Sequence, residues 1–178
     1  MAKEIERKFL VRGSAWRALD EGELIRQGYL SDEKARTVRV RLAGKPGKEK
    51  GSITVKGITS GVSRLEFDYE IPAADAAAML ERLALRPLVE KIRRRVPAEG
   101  LPGASWEIDE FLGENAGLVV AEIELPDEGA SFVRPGWLGR EVSDDPRYFN
   151  SNLLAHPFGA WPEAERQAIL AEIRGEAD

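Results

Sequence analysis

Apolar and polar residues alternate with a period of two along much of the chain, the pattern of half-buried β-strands. The alternating segments are 4–11, 37–42, 51–56, 64–71, 90–96, 105–109 and 119–125, with a shorter one at 27–30 and a fainter one at 139–143. Joins containing Gly and Pro, at 44–47, 57–61 and 97–103, separate many of them. Helical spacing is rarer. Residues 73–85 follow Pro72 and place Met79, Leu80 and Leu83 on one side. Residues 162–174 start with Pro162, group Ile169, Leu170 and Ile173, and stop at Gly175. Shorter helical pieces are predicted at 14–19, with Ser14 as the cap, and at 147–155. Many strands with few helices predict a mainly β (α+β) fold, an antiparallel sheet with helices packed outside. No repeat, low-complexity tract or linker divides the chain, so residues 1–178 read as a single domain.

Successive side chains of a strand point to opposite faces. Sorted in this way, the charges fall together. Glu4, Glu6 and Lys8 share a face opposite Ile5, Arg7 and Phe9, and Arg39 and Arg41 oppose Val38, Val40 and Leu42. Thr54 and Lys56, then Glu66 and Asp68, then Lys91 and Arg93, then Glu107 and Asp109, and finally Glu122 and Glu124 follow the same rule. A charged face in water is the ordinary alternative for any one antiparallel strand. Taken together the strands argue otherwise. Arg39 with Arg41, Glu4 with Glu6 and Glu122 with Glu124 set like charges roughly 7 Å apart, a repulsion that brings a surface strand no gain. A closed barrel with these faces turned inward would be filled by water or ligand. Lys8, Arg39, Arg41, Lys56, Lys91 and Arg93 suit phosphate oxygens. Glu4, Glu6, Glu66, Asp68, Asp109, Glu122 and Glu124 would repel phosphate unless divalent cations lay between them.

Composition narrows the function classes. The chain is 43% hydrophobic and 32% charged, as a globular protein is, and no segment approaches the roughly 18 apolar residues of a membrane span. It has no cysteine, which excludes disulfides and thiol catalysis, and a formal net charge of −5, which argues against nucleic acid as a partner. Two early carboxylates, Glu4 and Glu6, stand where a signal peptide would be apolar, so a cytoplasmic setting is expected. The one histidine, His156, is read as a loop or capping residue, and Trp16, Trp106, Trp137 and Trp161 as packing residues.

Glu4-Ile5-Glu6-Arg7-Lys8 resembles the Glu-x-Glu-x-Lys signature of the CYTH, or triphosphate tunnel metalloenzyme, superfamily. Further matches follow in family-like order: Gln27-Gly28-Tyr29-Leu30, Val38-Arg39-Val40-Arg41, Thr54-Val55-Lys56-Gly57, Arg64-Leu65-Glu66 and Glu90-Lys91-Ile92-Arg93. Trp106-Glu107-Ile108-Asp109-Glu110-Phe111 and Ala121-Glu122-Ile123-Glu124-Leu125 continue the series, and the tail Arg147-Tyr148-Phe149-Asn150-Ser151-Asn152-Leu153 is similar to the short bacterial branch. The resemblance implies a closed eight-stranded antiparallel tunnel, a triphosphate substrate, Mg²⁺ or Mn²⁺, and a homodimer. It implies Glu4, Glu6, Asp109, Glu122 and Glu124 as metal ligands and Lys8, Arg39, Arg41, Lys56 and Arg93 as substrate-binding residues. Lys91 would serve the leaving group, with Glu66 and Asp68 as further catalytic candidates. Asp68 stands where the family has a longer Glu. Hydrolysis of inorganic tripolyphosphate is the expected reaction. Cyclisation of ATP, hydrolysis of an organic triphosphate and non-catalytic sensing are the alternatives.

Overall fold

The computed structural model describes residues 5–33, 36–60, 63–127 and 129–175; Glu4, an expected metal ligand, lies outside them. Its strands are β1 (Ile5–Val11), β2 (Glu23–Ser31), β3 (Arg36–Gly44), β4 (Lys50–Ser60), β5 (Ser63–Ile71), β6 (Val89–Pro97), β7 (Ser105–Phe111), β8 (Val119–Leu125) and β9 (Leu138–Glu141). The helices are α1 (Ala73–Arg82), α2 (Asn150–Ala155) and α3 (Glu163–Arg174), with short 3-10 turns between. The fold is mainly β, as the alternation predicts, and β1–β8 are the eight strands expected of the barrel. No helix among the described residues is long and apolar enough to cross a membrane.

The chain forms two compact units. The first holds Glu23–Glu90, and the second holds the described parts of Glu4–Gly22 and Lys91–Asp178.

In the first unit β2, β3, β4 and β5 pair antiparallel as consecutive neighbours, and Gly44 and Gly47 take positive φ in the turn that joins β3 to β4. Helix α1 covers the apolar face, where Val40, Ala76 and Leu80 are fully buried and Leu42, Ile53 and Ile71 pack around them. The alanines of α1 matter because the helix runs close over β4: a Cβ added at Gly51 would meet the Ala76 Cβ at 2.7 Å and the Ile71 carbonyl oxygen at 2.8 Å.

In the second unit the order is β6-β7-β8-β1-β9, with every neighbouring pair antiparallel. Its apolar face buries Phe9, Trp106 and Ile123, and Trp106 meets Phe9, Phe132 and Trp137 edge-to-face at 5.2–5.7 Å between ring centres. Helix α3 inserts Ile169 and Ile173 and ends at Gly175, whose φ of 77° is the left-handed turn read from the sequence. Two local expectations change. Ser14 precedes a 3-10 turn but makes no side-chain capping bond, and residues 147–155 split into a 3-10 turn (Pro146–Tyr148) and α2, the turn being capped by Asp145. His156 ends α2, and its carbonyl accepts from Trp161 Nε1 at 3.1 Å, the loop role expected of it.

Candidate active site

The register of β1, β8, β7 and β6 sets the charges of the second unit side by side on the face opposite Trp106. Glu6 pairs with Glu124 and Lys8 with Glu122 across β1 and β8; Glu107 stands opposite Glu122 on one side and Arg95 on the other; Asp109 stands opposite Arg93. Because like-facing residues recur every second position, Glu6, Glu107, Asp109 and Glu122 come into contact with Lys8, Lys91, Arg93 and Arg95.

Lys8 Nζ donates to Glu122 Oε1 at 2.6 Å and lies 2.9 Å from Glu6 Oε1. Arg93 reaches three carboxylates: Asp109 through Nε (2.7 Å) and Nη2 (2.6 Å), Glu122 through Nη2 (3.3 Å), and Glu107 through Nη1. Arg95 Nε donates to the other Glu107 oxygen at 3.1 Å. Lys91 is fully buried, and its ammonium donates to Asp109, with Asn150 Oδ1 at 3.4 Å. Asp109 is equally buried and gives both oxygens to Lys91 and Arg93.

Burial and charge tune these groups. Burial, together with the adjacent Glu122 charge, pushes Glu6 up to about 7 against the opposing pull of Lys8. Burial alone would raise Glu122 too, but Lys91, Lys8 and Arg93 outweigh it and hold that carboxyl at about 2. The two carboxyls share Lys8 and raise and lower each other's proton affinity, so Glu6 is the carboxyl of the pair that holds a proton more readily. Burial lowers the Lys91 ammonium despite Asp109 beside it, whereas for Lys8 the two glutamates overcome burial and raise it.

A cavity of about 730 Å³ opens along this face, lined by Glu6, Glu107, Glu122, Glu124 and Arg95 with the turn at Pro102. Among the described residues no three carboxylates yet converge at metal-ligating distance. The chemistry of Glu6, Glu122 and Glu124 nevertheless fits a hard divalent cation: all donors are oxygen, they sit on adjacent strands around one cavity, and the mutual repulsion that pushes Glu6 up is what a bound cation would relieve.

In the first unit the equivalent face carries a second set. Arg41 donates to Gln27 Oε1 through Nε (3.3 Å) and Nη2 (3.2 Å). Arg39 Nη2 donates to Thr54 Oγ1 (3.0 Å), which donates to Asp68 Oδ1 (2.7 Å), and Lys56 Nζ lies 2.9 Å from Glu66. Thus Lys8, Lys91, Arg93, Glu6, Asp109, Glu122 and Glu124 belong to the second unit's face, and Arg39, Arg41, Lys56, Glu66 and Asp68 to the first's. Sequence reading put Glu107 and Arg95 on the charged faces but gave neither a role, and it gave none to Gln27 or Asn150. Glu107 and Arg95 share the period-two face with Asp109 and Arg93 and could have been included on that ground; Gln27 and Asn150 carry no charge to flag them.

The sequence model of the CYTH domain matches residues 2–151 of this chain, a span that runs through both units. An inorganic triphosphatase of Acetivibrio thermocellus is 52% identical over 163 residues, which cover 92% of this chain and all of that protein. An inorganic triphosphatase of Nitrosomonas europaea is 34% identical over 160 residues, covering 84% of this chain and 95% of that one. The crystal structure of the inorganic triphosphatase NE1496 superposes with a TM-score of 0.62 at 30% identity, over 86% of this chain and 95% of its own.

Proposed function

Since the chain belongs to the CYTH domain family, we propose that it is a divalent-metal-dependent triphosphatase that cleaves inorganic tripolyphosphate to pyrophosphate and phosphate. The observation that carries this reading is the Glu6–Glu122 acid pair on Lys8, beside a cavity lined by Glu6, Glu107, Glu122 and Glu124, with Arg93 bonded to Glu107 and Glu122. Such a lining disfavours a bare polyanion and suits one that arrives with cations.

Glu6, Glu122 and Glu124, with Glu4, would hold Mg²⁺ or Mn²⁺, which when bound supplies charge neutralisation and an activated water. Asp109 acts as the anchor that keeps Lys91 and Arg93 in place, although its sequence position implies a ligand role. Lys8 and Arg93 bind phosphate oxygens, and the same role is proposed for Arg39, Arg41 and Lys56. The attacking water bonds to the terminal phosphorus while the anhydride P–O bond breaks and its electron pair leaves on the pyrophosphate oxygen. Lys91, an ammonium in a dry setting, stabilises that oxygen by donating a hydrogen bond. Glu66 and Asp68 are the carboxylates assigned to take the water's proton. No protein nucleophile is needed.

A cytoplasmic setting and a homodimer belong to the same proposal, the latter supported by Phe67 and Tyr69, which stand 49% and 57% exposed on β5. The test is phosphate release from tripolyphosphate, pyrophosphate and ATP with Mg²⁺, Mn²⁺ or chelator. Release from tripolyphosphate that needs metal, with little from pyrophosphate, supports the hydrolase. Cyclic AMP from ATP, or binding with no turnover of any substrate, overturns it.

A further inference from the structure

Gln27 is fully buried on β2, and the side chain has only one place in which its orientation is chemically forced. Arg41 approaches its Oε1 with two N–H groups, and a guanidinium can only donate. The amide oxygen must therefore face Arg41, which leaves Nε2 as a donor turned elsewhere. That atom is buried and has no hydrogen-bond partner, and Arg39 Nε, on the diagonal neighbour across the β2–β3 ladder, is buried and unpartnered in the same way. Diagonal cross-strand neighbours lie roughly 7–8 Å apart at their backbones, within joint reach of one small anion.

A buried amide without an acceptor costs a large part of what a hydrogen bond gains, so folds rarely retain one unless something fills the place. The side-chain oxygens around these donors are engaged: Thr54 Oγ1 by Arg39 Nη2, Asp68 Oδ1 by Thr54, Glu66 by Lys56, and Gln27 Oε1 by Arg41. No acceptor of the described residues reaches Gln27 Nε2 or Arg39 Nε. A phosphoryl group, with its several non-bridging oxygens, is the class of ligand that supplies such acceptors.

We propose that Gln27 is a substrate-binding residue, its Nε2 donating together with Arg39 Nε to non-bridging oxygens of one phosphoryl group. The assignment rests on the triphosphatase reading for the identity of the ligand. Gln27 also gives the site a selectivity that charge alone does not. A neutral amide is held by Arg41 in the donor orientation and rewards an acceptor at that point, whereas lysines and arginines attract any anion.

Calorimetry with tripolyphosphate in chelator, paired with KM and kcat in Mg²⁺, tests this on Gln27→Met and Gln27→Glu. Gln27→Met keeps the length and removes the donor; binding should weaken about 10- to 100-fold, the range of a hydrogen bond to a charged group, with the loss appearing in KM rather than kcat. Gln27→Glu keeps an acceptor for Arg41, so it folds even if the Met variant does not, and it should weaken binding at least as much. Wild-type affinity in whichever of these variants folds overturns the proposal and leaves a bound water as the occupant. The two readings fail separately: a wild-type protein that binds tripolyphosphate without cleaving it sinks the hydrolase, while unchanged binding in the Gln27 variants sinks only this assignment.

Discussion

Glu6 and Glu122 reach from neighbouring strands to the same ammonium, Lys8 Nζ, at 2.9 and 2.6 Å. Burial and the Glu122 charge place the Glu6 carboxyl at about 7, whereas Lys91, Lys8 and Arg93 hold Glu122 at about 2 against its burial. The raised Glu6 value means that the folded chain retains a proton which the unfolded chain, at 4.5, has lost. Its contribution to stability is therefore present at low pH and declines as pH rises from 4.5 through about 7. Glu122 contributes in the opposite sense, with stability present above 4.5 and lost as pH falls toward 2. In chelator, the melting temperature should fall between pH 5 and 7.5 more steeply for the wild type than for Glu6→Gln. Divalent-cation affinity, read by calorimetry, should rise across the same interval because the cation displaces this proton. A wild-type curve parallel to that of Glu6→Gln would remove Glu6 as the proton's seat.

Asp109 is the sole carboxylate that the described residues offer to the buried Lys91 at close range. Asp109→Ala strands an ammonium in a dry interior and should cost about 3–5 kcal/mol in urea unfolding. Replacing the pair together, as Lys91→Met with Asp109→Leu, should recover most of that loss, since Arg93 still has Glu107 and Glu122. The double variant should remain inactive. Equal instability of the single and double variants would show that the pair is not the unit that matters.

Arg41→Ala should raise the KM for tripolyphosphate by about 10- to 100-fold, with a smaller change in kcat. Arg41→Lys should not restore it, because an ammonium lacks the planar fork that presents N–H groups from two separate nitrogens to Gln27. Full rescue by lysine would reduce Arg41 to a point charge.

Glu107 receives Arg93 on one oxygen and Arg95 on the other. Glu107→Gln removes one negative charge from beside both guanidinium groups, while Asp109 and Glu122 still hold Arg93 in place, so inorganic phosphate and pyrophosphate should become stronger inhibitors. A several-fold drop in their inhibition constants is expected; unchanged constants would mean that the two arginines do not face incoming anions.

The fold has its own test at Gly51, where an added Cβ meets the Ile71 carbonyl oxygen at 2.8 Å and Ala76 at 2.7 Å. Backbone cannot step aside as a flexible side chain can. Gly51→Ala should destabilise by about 1–3 kcal/mol, seen as a lowered urea midpoint, while the same change at Gly103, which has open space but φ of 83°, reports only backbone strain.

Much of this was legible in the alternation alone. The period of two located the strands and put Lys8, Arg93, Asp109 and Glu122 on one face, because facing is a local property. Strand β2 shows where that ends. It runs from Glu23 to Ser31, not 27–30, since Arg26 interrupts the apolar side and is matched by Glu90 at 2.9 Å, a pairing 64 residues away. Register is likewise non-local, so a list of lumen charges did not reveal that Glu107 stands between two arginines or that Gln27 lies opposite Arg41. Asn150 reaches Lys91 from a segment 59 residues distant, and nothing in its own neighbourhood signals this.

Along β6 the side chains of Lys91, Arg93 and Arg95 are 0%, 7% and 50% exposed, three positive charges on one face at successive steps of about 7 Å. The formal charge is the same at each step, but the surrounding medium is not. An anion moving from Arg95 toward Lys91 leaves water that screens it and enters surroundings where the same charge acts several times more strongly. The strand therefore carries a graded field, weak at Arg95 and strongest at Lys91; under the proposed function the weak end suits release and the strong end the departing oxygen.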